Sequence, residues 1–436
     1  MKKESVTLKE NEFIVNHIQQ LHNGCTLIES PTGTGKTSFV LEHLTQSEKI
    51  LMLVPLVVQV RQLKAHYKNR HDIVFLSGTD KDKTHTLQTY QGKHIVATYD
   101  LWPSLQKSLN FTGYTLVIDE VHKMYSAGSY RDEALNPILA IIPNKRFFNK
   151  KLLLTATYTE SLAELGQLLP DTWFTIRQAT PIAKTLNIHI YEESWSFHWL
   201  QAVISRLQQR EGKKIVFVRL NSTNRMEKAI ACLEKLNFKA LGISRKTIGL
   251  ASVKTVVETE LLPNNYDVVL TTSIFDEAIN LNNTNADIDS VHIVDAVAHP
   301  EEIVQFMGRL RKANPPFFLH MQQKDGFLAK TTEKQAISYT HSIQSKYKTL
   351  ANFAVAAKQL ATEFEEQINV MEIFRGIDVV NDTLRNFLEC SVLTKADKGM
   401  EANTAGILAC CYKTDIFYTY KHYDQLVKRL QTVMVK

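Results

Sequence analysis

Short apolar runs rich in Val, Ile and Leu recur from residue 24 to about residue 320 of this chain of 436 residues. Runs that are apolar at nearly every position are typical of strands buried on both faces of a parallel sheet. We predict strands in two sets, at 26–29, 50–54, 73–76, 94–97, 115–118 and 152–155, and then at 186–191, 215–218, 240–243, 268–271, 291–294 and 317–320. Helical patterns lie between the runs, for example at 37–44 and 199–209, so the alternation predicts a parallel α/β architecture.

The two sets of runs divide the chain into domains. Residues 177–184, which include Pro181, separate the sets and have the composition of a hinge. After about residue 330 the strand-like runs become rare and helical patterns appear, for example at 352–370 and 382–393. We therefore predict one α/β domain over 1–180, a second over 181–330 and a mainly helical C-terminal domain over 331–436. A chain of this length is expected to form about three domains.

The composition, with 44% hydrophobic and 22% charged residues, is that of an ordinary soluble globular protein. It excludes a disordered chain and a disulfide-stapled miniprotein. The five cysteines include no C-x-x-C pair, so we expect reduced thiols and a cytoplasmic protein. The polar N-terminus is unlike a signal peptide, and the longest apolar stretch, 50–60, is too short to span a bilayer. A net charge of +6 is too small to indicate nucleic-acid binding by itself.

Residues 30–37, with the sequence SPTGTGKT, follow a predicted strand and open a predicted helix, as a phosphate-binding loop does. The glycines allow the backbone to wrap around phosphates, and the helix N-terminus favours an anion. Ser30 stands where the usual pattern has its first glycine. The candidate nucleotide-binding residues are Thr32, Gly33, Thr34, Gly35, Lys36 and Thr37. Such a loop alone is compatible with kinases, GTPases, transporter ATPases and motor ATPases.

A pair of carboxylates follows the predicted strand at 115–118. Asp119, together with the Thr37 hydroxyl, is a candidate ligand of Mg²⁺, and Glu120 is a candidate base for an attacking water. Hydrolysis of a triphosphate requires both tasks, and adjacent residues at the end of a strand can supply them. The pair therefore favours an ATP or GTP hydrolase.

The phosphate loop, the Asp-Glu-Val-His sequence at 119–122 and the Thr-Ala-Thr sequence at 155–157 resemble motifs I, II and III of the superfamily 2 helicases of the DExH-box type. Further segments are similar to the remaining motifs in the expected order: 53–55 with Gln59 and Gln62 to motif Ia, 97–100 to motif Ib, 215–222 to motif IV, 271–280 to motif V and 305–311 to motif VI. The resemblance extends over residues from about 10 to 325.

The chain departs from the family pattern in motifs V and VI. Ala278 and Asn280 stand where motif V usually carries Gly and Asp, and motif VI ends in Arg311 and Lys312. This Gly-Arg-x-Arg ending is similar to that of the replication origin-binding helicases, which favours DNA over RNA. No adenine-reading Q motif precedes the loop, so ATP is the nucleotide that the resemblance implies.

The resemblance implies two tandem RecA-like parallel-sheet domains with ATP and Mg²⁺ in the cleft between them. The implied catalytic residues are Lys36, Asp119 and Glu120 in the first domain and Gln305, Arg309 and Arg311 in the second. Arg309 and Arg311 would act as arginine fingers, which increase rates by about 10³–10⁵, and Gln305 would position the water or the γ-phosphate. His122, Thr155 and Thr157 would couple the γ-phosphate to a hinge-type closure of the domains.

In this family a nucleic-acid strand runs across both domains and is contacted mainly through its phosphates. The candidate contacts are Arg61, Thr98, Arg219, Asn221, Thr271 and Thr272. The C-terminal domain is a candidate site for a protein partner, and its Tyr- and Lys-rich end at 411–436 either stacks bases or forms an amphipathic helix packed on the core.

The sequence favours an ATP-dependent helicase or translocase that acts on nucleic acid, more on DNA than on RNA. The alternative from another class is a nucleic-acid-stimulated ATPase switch that recruits partners without separating strands. A P-loop kinase or a transporter ATPase is disfavoured, because it gives no role to a second α/β domain that ends in residues 305–311.

Overall fold

The structure is a computed structural model. It describes residues 1–80, 92–144, 147–179, 184–192, 195–277, 280–295, 299–323, 327–330, 390–391, 393–396, 399–415 and 419–434, together with isolated positions at 85 and between 332 and 356. Two parallel sheets dominate these residues, which confirms the prediction of two α/β domains in series.

The first sheet has eight strands, all paired in parallel, in the order β1-β8-β2-β7-β6-β3-β5-β4. They are β1 Lys2–Leu8, β2 Gly24–Glu29, β3 Lys49–Val54, β4 Ile73–Leu76, β5 His94–Thr98, β6 Tyr114–Ile118, β7 Lys150–Thr155 and β8 Thr172–Gln178. Every predicted run of the first set lies in one of these strands. The runs predicted β2 to β7, whereas β1 and β8 have no continuous apolar run, because β1 alternates between exposed and partly buried residues at the sheet edge.

Helices cover both faces of the first sheet. They are α1 Lys36–Ser38, α2 Val57–His66, α3 Trp102–Ser108, α4 Lys123–Ser126, α5 Gly128–Ile141 and α6 Glu160–Leu165. The predicted helix at 37–44 is divided, since α1 continues as a π-helical turn, Phe39–His43, and a 3-10 turn, Leu44–Gln46. The apolar side chains of these turns pack against one face of the sheet in a core that includes Phe39, Val40 and Leu41.

The second sheet has six parallel strands in the order β11-β12-β10-β14-β16-β9. The strands of this domain are β9 Leu186–Tyr191, β10 Ile215–Leu220, β11 Ala240–Ile243, β12 Val268–Thr271, β13 Leu281–Thr284, β14 Ile288–Val294, β15 Leu310–Lys312 and β16 Phe317–Gln322. Its helices are α7 Trp195–Gln209, α8 Thr223–Lys235, α9 Ala251–Thr259, α10 Ile274–Glu277 and α11 Pro300–Gly308. Each predicted run of the second set lies in a strand. Strands β13 and β15 form a separate parallel pair.

The described C-terminal elements are an antiparallel hairpin, β17 Leu393–Ala396 and β18 Gly399–Ala402, and two helices, α12 Thr404–Asp415 and α13 Tyr423–Met434. Helix α12 is part of the core of the first domain, whereas Leu426 and Leu430 of α13 pack in the core of the second. The predicted helices at 352–370 and 382–393 lie outside the described residues apart from isolated positions. Within the part of the chain that the structure describes, every helix is too short or too polar to cross a bilayer.

Candidate active site between the two domains

The phosphate loop lies between β2, which ends at Glu29, and α1, which begins at Lys36. Gly33 and Gly35 adopt φ angles of 84° and 85°, a left-handed conformation that favours glycine. The Ser30 hydroxyl lies 2.5 Å from the Thr34 hydroxyl inside the loop. The side chain that replaces the usual first glycine is therefore fully buried and closes the loop from within.

Lys36 lies across its own loop. Its ammonium group donates hydrogen bonds to the backbone carbonyls of Ser30 at 2.7 Å and Pro31 at 2.8 Å. Burial lowers the pKa of Lys36 to about 8, although the nearby charges of Glu120 and Asp119 oppose this shift. The ammonium is held at the loop, ready to exchange these carbonyls for phosphate oxygens.

The two carboxylates sit on a tight turn where β6 ends. The Glu120 backbone has a φ angle of 53°, a left-handed conformation that is uncommon outside glycine. The turn is held from several sides, because Val121 N donates to Leu154 O at 2.9 Å and the Tyr99 hydroxyl donates to the Asp119 carbonyl. Strained backbone that is fixed by its surroundings is frequent at active sites. Here it turns Glu120 towards the phosphate loop.

The surroundings of the two carboxylates shift their pKa values in opposite directions. Burial, together with the charge of Glu120, raises the pKa of Asp119 to about 7. Burial alone would also raise the pKa of Glu120, but the hydrogen bond and charge of His122 and the charges of Arg309 and Lys36 hold it well below its ordinary value. Glu120 is therefore ionised, as a base requires, and Asp119 is the carboxylate whose charge depends on an added cation.

The second domain reaches this turn through the end of α11. Arg309 Nη2 lies 3.1 Å from Glu120 Oε1, and the guanidinium also donates to the carbonyl of Asp276 through Nε at 2.9 Å and through Nη2 at 2.6 Å. One residue earlier, the Gly308 carbonyl accepts a hydrogen bond from the Thr32 hydroxyl at 3.0 Å. Arg309, the predicted arginine finger, therefore lies beside the phosphate loop where the two domains are in contact.

A cavity of about 340 Å³ opens between the domains at this point. Its first-domain wall is formed by Phe13, Thr32, Gly33, Gly35, Lys36, Thr37, Ser38, Gln59, Gln62, Leu63, His66, Tyr67, Asp119 and Glu120. Its second-domain wall is formed by Glu260, Asn280, Arg309 and Arg311. The structure thus brings the predicted loop, both carboxylates and both arginines to one cleft.

Gln305 does not line this cavity, although it was predicted to position the water or the γ-phosphate. Its side chain is 2% exposed, and its amide donates to the Thr157 hydroxyl at 2.8 Å and lies 3.4 Å from His122 Nδ1. The His122 ring in turn lies 3.1 Å from the Thr155 hydroxyl. Helix α11 directs Gln305 away from the loop and towards His122 and Thr157, two of the residues that were predicted to couple the domains.

A wider groove, with a volume of about 910 Å³, crosses both domains outside this cavity. Three of the predicted nucleic-acid contacts line it, namely Arg61 from α2 and Asn221 and Thr272 from the second domain. Thr79 and Arg131 of the first domain and Arg245 of the second are further lining residues. The groove therefore carries arginine side chains on both walls, beside Asp100 and apolar residues such as Val57 and Ile274.

The other three predicted contacts are buried. Thr98, Thr271 and Arg219 are each 0% exposed. In this arrangement their side chains are not exposed to a strand, and their role as nucleic-acid contacts stays a prediction. Arg219 instead forms a buried ion cluster, with Asp276 Oδ1 2.9 Å from its Nε, Asp295 bound to its Nη1 and Glu302 Oε2 3.4 Å from its Nη2. From the sequence alone, a basic residue at the end of a strand can be a nucleic-acid contact or part of a buried ion cluster, and no pattern distinguishes the two.

Several cavity residues were missed by the sequence reasoning. Phe13 lies beside Gly35 and is 49% exposed, and Tyr67 and His66 come from the C-terminal end of α2. Glu260 reaches the cavity from the second domain, just after α9. These residues belong to no contiguous pattern, and only the tertiary fold brings them to the phosphate loop.

Comparisons with known proteins agree with this geometry. Residues 14–165 match the family described as DEAD/DEAH box helicase. No match was found among curated proteins. Among solved structures, the chain is similar to Mss116p bound to ssRNA and AMP-PNP, with 13% identity, a TM-score of 0.54 and coverage of 80% of this chain and 79% of that one.

Two further structures are similar at low identity. The DEAD-box helicase Mss116 bound to ssRNA and UDP-BeF has 12% identity and a TM-score of 0.57, with 84% of this chain and 90% of that chain covered. A single-residue variant of S. cerevisiae Dbp5 bound to RNA and ADP BeF3 has 15% identity and a TM-score of 0.51, with 71% and 81% covered. At these identities the likeness shows the fold, which is that of tandem RecA-like domains. Residues 14–165 are therefore a DEAD/DEAH box helicase domain, and the chain is an ATP-hydrolysing enzyme of the helicase type.

Proposed function

We propose that this protein is a helicase or translocase of the DExH type that hydrolyses ATP between its two RecA-like domains in order to move on single-stranded nucleic acid. The observation that carries the proposal is the shared cavity, in which Lys36 and Glu120 of one domain face Arg309 and Arg311 of the other. A site that is complete only when two domains meet links hydrolysis to their relative motion. The division of the chain at residues 180 and 330 into two such domains and a C-terminal domain stays a prediction.

The residues in the cavity fit a magnesium–nucleotide complex. The Thr37 hydroxyl and the Asp119 carboxylate both line it, and oxygen donors of this kind, completed by substrate phosphates and water, suit Mg²⁺. When bound, Mg²⁺ would neutralise charge on the phosphates. Asp119 Oδ2 now accepts a hydrogen bond from Gln59 Nε2 at 2.5 Å, so this amide would orient the carboxylate. The exposed ring of Phe13 at the loop offers a face for the base.

Glu120 and Arg309 neutralise one another in the present arrangement. A triphosphate in the loop would give Arg309 a stronger partner, and the released Glu120 carboxylate would accept a proton from the attacking water. The charge that develops in the transition state would then be stabilised by Arg309, with Arg311 at the same wall of the cavity. In this proposal, the ion pair keeps both groups in place before ATP binds.

The contact of Gln305 with Thr157 and His122 connects this chemistry to the domains. His122 follows the carboxylate turn and Thr157 follows strand β7 in the first domain, whereas Gln305 lies on the helix whose end leads into Arg309. A movement of Arg309 along with α11 would therefore alter a buried contact between the domains. We propose that Gln305 acts in coupling and does not touch the substrate.

We propose the wider groove as the path of the strand, with Arg61, Asn221 and Thr272 as phosphate contacts. We propose DNA over RNA on the strength of the motif VI ending alone. The test is to measure the ATPase rate in parallel with single-stranded DNA, duplex DNA and RNA. Stimulation by single-stranded DNA above RNA supports the DNA proposal, and the reverse order contradicts it.

A strand-displacement assay distinguishes movement from a simple ATPase switch. We expect ATP-dependent release of a labelled strand from a tailed duplex, and no release with the Glu120→Gln variant. Stimulated hydrolysis without displacement or movement on any tailed substrate would favour the switch instead.

A further inference from the structure

Helix α12 is built into the first domain, directly behind the carboxylate turn. At Gly128 in α5 a Cβ atom would lie 1.9 Å from the Ala405 carbonyl oxygen, so only glycine permits this approach of the two backbones. Asn403 is fully buried, and its amide donates to Asp132 at 2.7 Å and accepts from Asn136 at 3.0 Å. The helix is therefore held rigidly against α5.

Helix α13 is built into the second domain. Its apolar side chains Leu426 and Leu430 belong to that core. Arg429 Nε donates to Glu301 Oε1 at 2.7 Å at the N-terminal end of α11. The two C-terminal helices therefore connect the two RecA-like domains on the side of α11 that carries Glu301 and Glu302.

Tyr412 makes the direct contact between α12 and α11. Its hydroxyl donates to Glu302 Oε1 at 2.9 Å. Its ring stacks on His299, with 4.2 Å between the ring centroids and an angle of 17°. The side chain is 5% exposed. A tyrosine fixed in the first domain therefore holds the first turn of the helix that carries Arg309.

A chain of buried polar contacts continues from Tyr412 to the active site. Glu302 Oε2 lies 3.4 Å from Arg219 Nη2, and Arg219 binds both oxygens of Asp276. The backbone carbonyl of Asp276 accepts two hydrogen bonds from Arg309. Thus Glu302 and Arg309 are joined both by α11 itself and by this ion cluster.

We infer that Tyr412 is a positioning residue for Arg309, which holds α11 so that the guanidinium faces the phosphate loop. The inference rests on the proposed role of Arg309. Tyr412 lies outside every helicase-like motif of the sequence and does not line the nucleotide cavity. It acts through the hydrogen bond to Glu302, so loss of the hydroxyl alone should displace the Arg309 guanidinium from the phosphate loop.

The test compares full-length Tyr412→Phe with Tyr423→Phe, a matched variant on α13. We expect Tyr412→Phe to lower kcat about tenfold with little change in KM for ATP, while the lost hydrogen bond to Glu302 lowers the thermal midpoint modestly. Tyr423→Phe should leave kcat unchanged. A lower thermal midpoint with an unchanged kcat would show a merely structural role.

A double-variant cycle tests whether Tyr412 acts through Arg309. In an Arg309→Lys background, measured by single-turnover hydrolysis, Tyr412→Phe should have almost no further effect. The same fold decrease in the hydrolysis rate in both backgrounds would overturn the inference. An unchanged kcat for Tyr412→Phe beside a large loss for Arg309→Lys would overturn it and leave the proposed function intact, whereas full activity of Arg309→Lys would overturn both.

Discussion

The two domains supply their halves of the ATP site in different ways. In the first domain each essential group lies in a contiguous motif, since Lys36 binds carbonyls five and six residues away in its own loop and Asp119 adjoins Glu120. In the second, Arg309 is held by the carbonyl of Asp276, 33 residues away, and by Glu120 of the other domain, 189 residues away. The first half is a local structure that forms with its strand and helix. The second half exists only when the domain is folded and packed against its partner.

The comparison predicts a large loss for changes in the local half. Lys36→Ala removes the ammonium at the phosphates, and Glu120→Gln removes the base, so we expect each to lower kcat by at least about 10²–10³-fold. Far-ultraviolet circular dichroism should show an unchanged fold. The control is Lys228→Ala on the exposed face of α8, which should retain normal turnover. Normal turnover by Lys36→Ala or Glu120→Gln would remove the catalytic assignment.

Loss of Arg219 should lower the stability of the second domain, where its ion cluster is buried. Arg219→Leu leaves Asp276, Asp295 and Glu302 without their common cation, and an uncompensated buried charge costs about 3–5 kcal/mol. The matched variant Arg206→Leu removes an ion pair with Asp289 whose arginine is 34% exposed, and should cost less than about 1 kcal/mol. Urea unfolding measures both. Equal losses in the two variants would contradict the buried cluster.

A smaller effect is expected for the contact that joins the two halves. Gln305→Ala removes the hydrogen bond to Thr157, so we expect kcat to fall about tenfold, which corresponds to about 1.4 kcal/mol, with little change in KM for ATP. The exposed Gln201 provides the control Gln201→Ala. A rise in KM with an unchanged kcat would show that Gln305 contributes to nucleotide binding instead.

The last prediction concerns the pH dependence of stability, which depends on two buried histidines of the second domain. Burial lowers the pKa of His292 well below 6.5 and that of His320 to about 3, with repulsion from His189 adding to both shifts. The folded state therefore favours the neutral rings, whose stabilisation is complete above pH 6.5 and is lost as the pH falls from 6.5 towards 3. We expect the free energy of unfolding to fall by up to about 1.4 kcal/mol per histidine per pH unit below 6.5.

The control for this pH effect is a double substitution, His292→Gln with His320→Gln. The slope of unfolding free energy between pH 6.5 and pH 5.5 should become flatter in this variant. An identical slope would assign the acid sensitivity to other groups.

Sequence reasoning succeeded where the structure depends on neighbours along the chain. Buried parallel strands such as β3 and β6 are continuous apolar runs, and the phosphate loop and carboxylate turn are contiguous motifs at their ends. It failed where tertiary packing decides the outcome. Arg219 and Asn221 end the same segment, yet one is buried among carboxylates and the other lines the groove. The contact of Tyr412 with Glu302 spans 110 residues, and no local pattern contains it.

The central claim is that the first domain binds ATP by itself and that the second domain supplies the groups that complete the site for hydrolysis. It is tested most directly by the Arg309→Ala variant, with ATP binding measured at equilibrium and hydrolysis measured in a single turnover. We predict that the affinity for ATP remains within a few-fold of the parent value while the hydrolysis rate falls by about 10³-fold or more. A hydrolysis rate within about twofold of the parent value would contradict the claim.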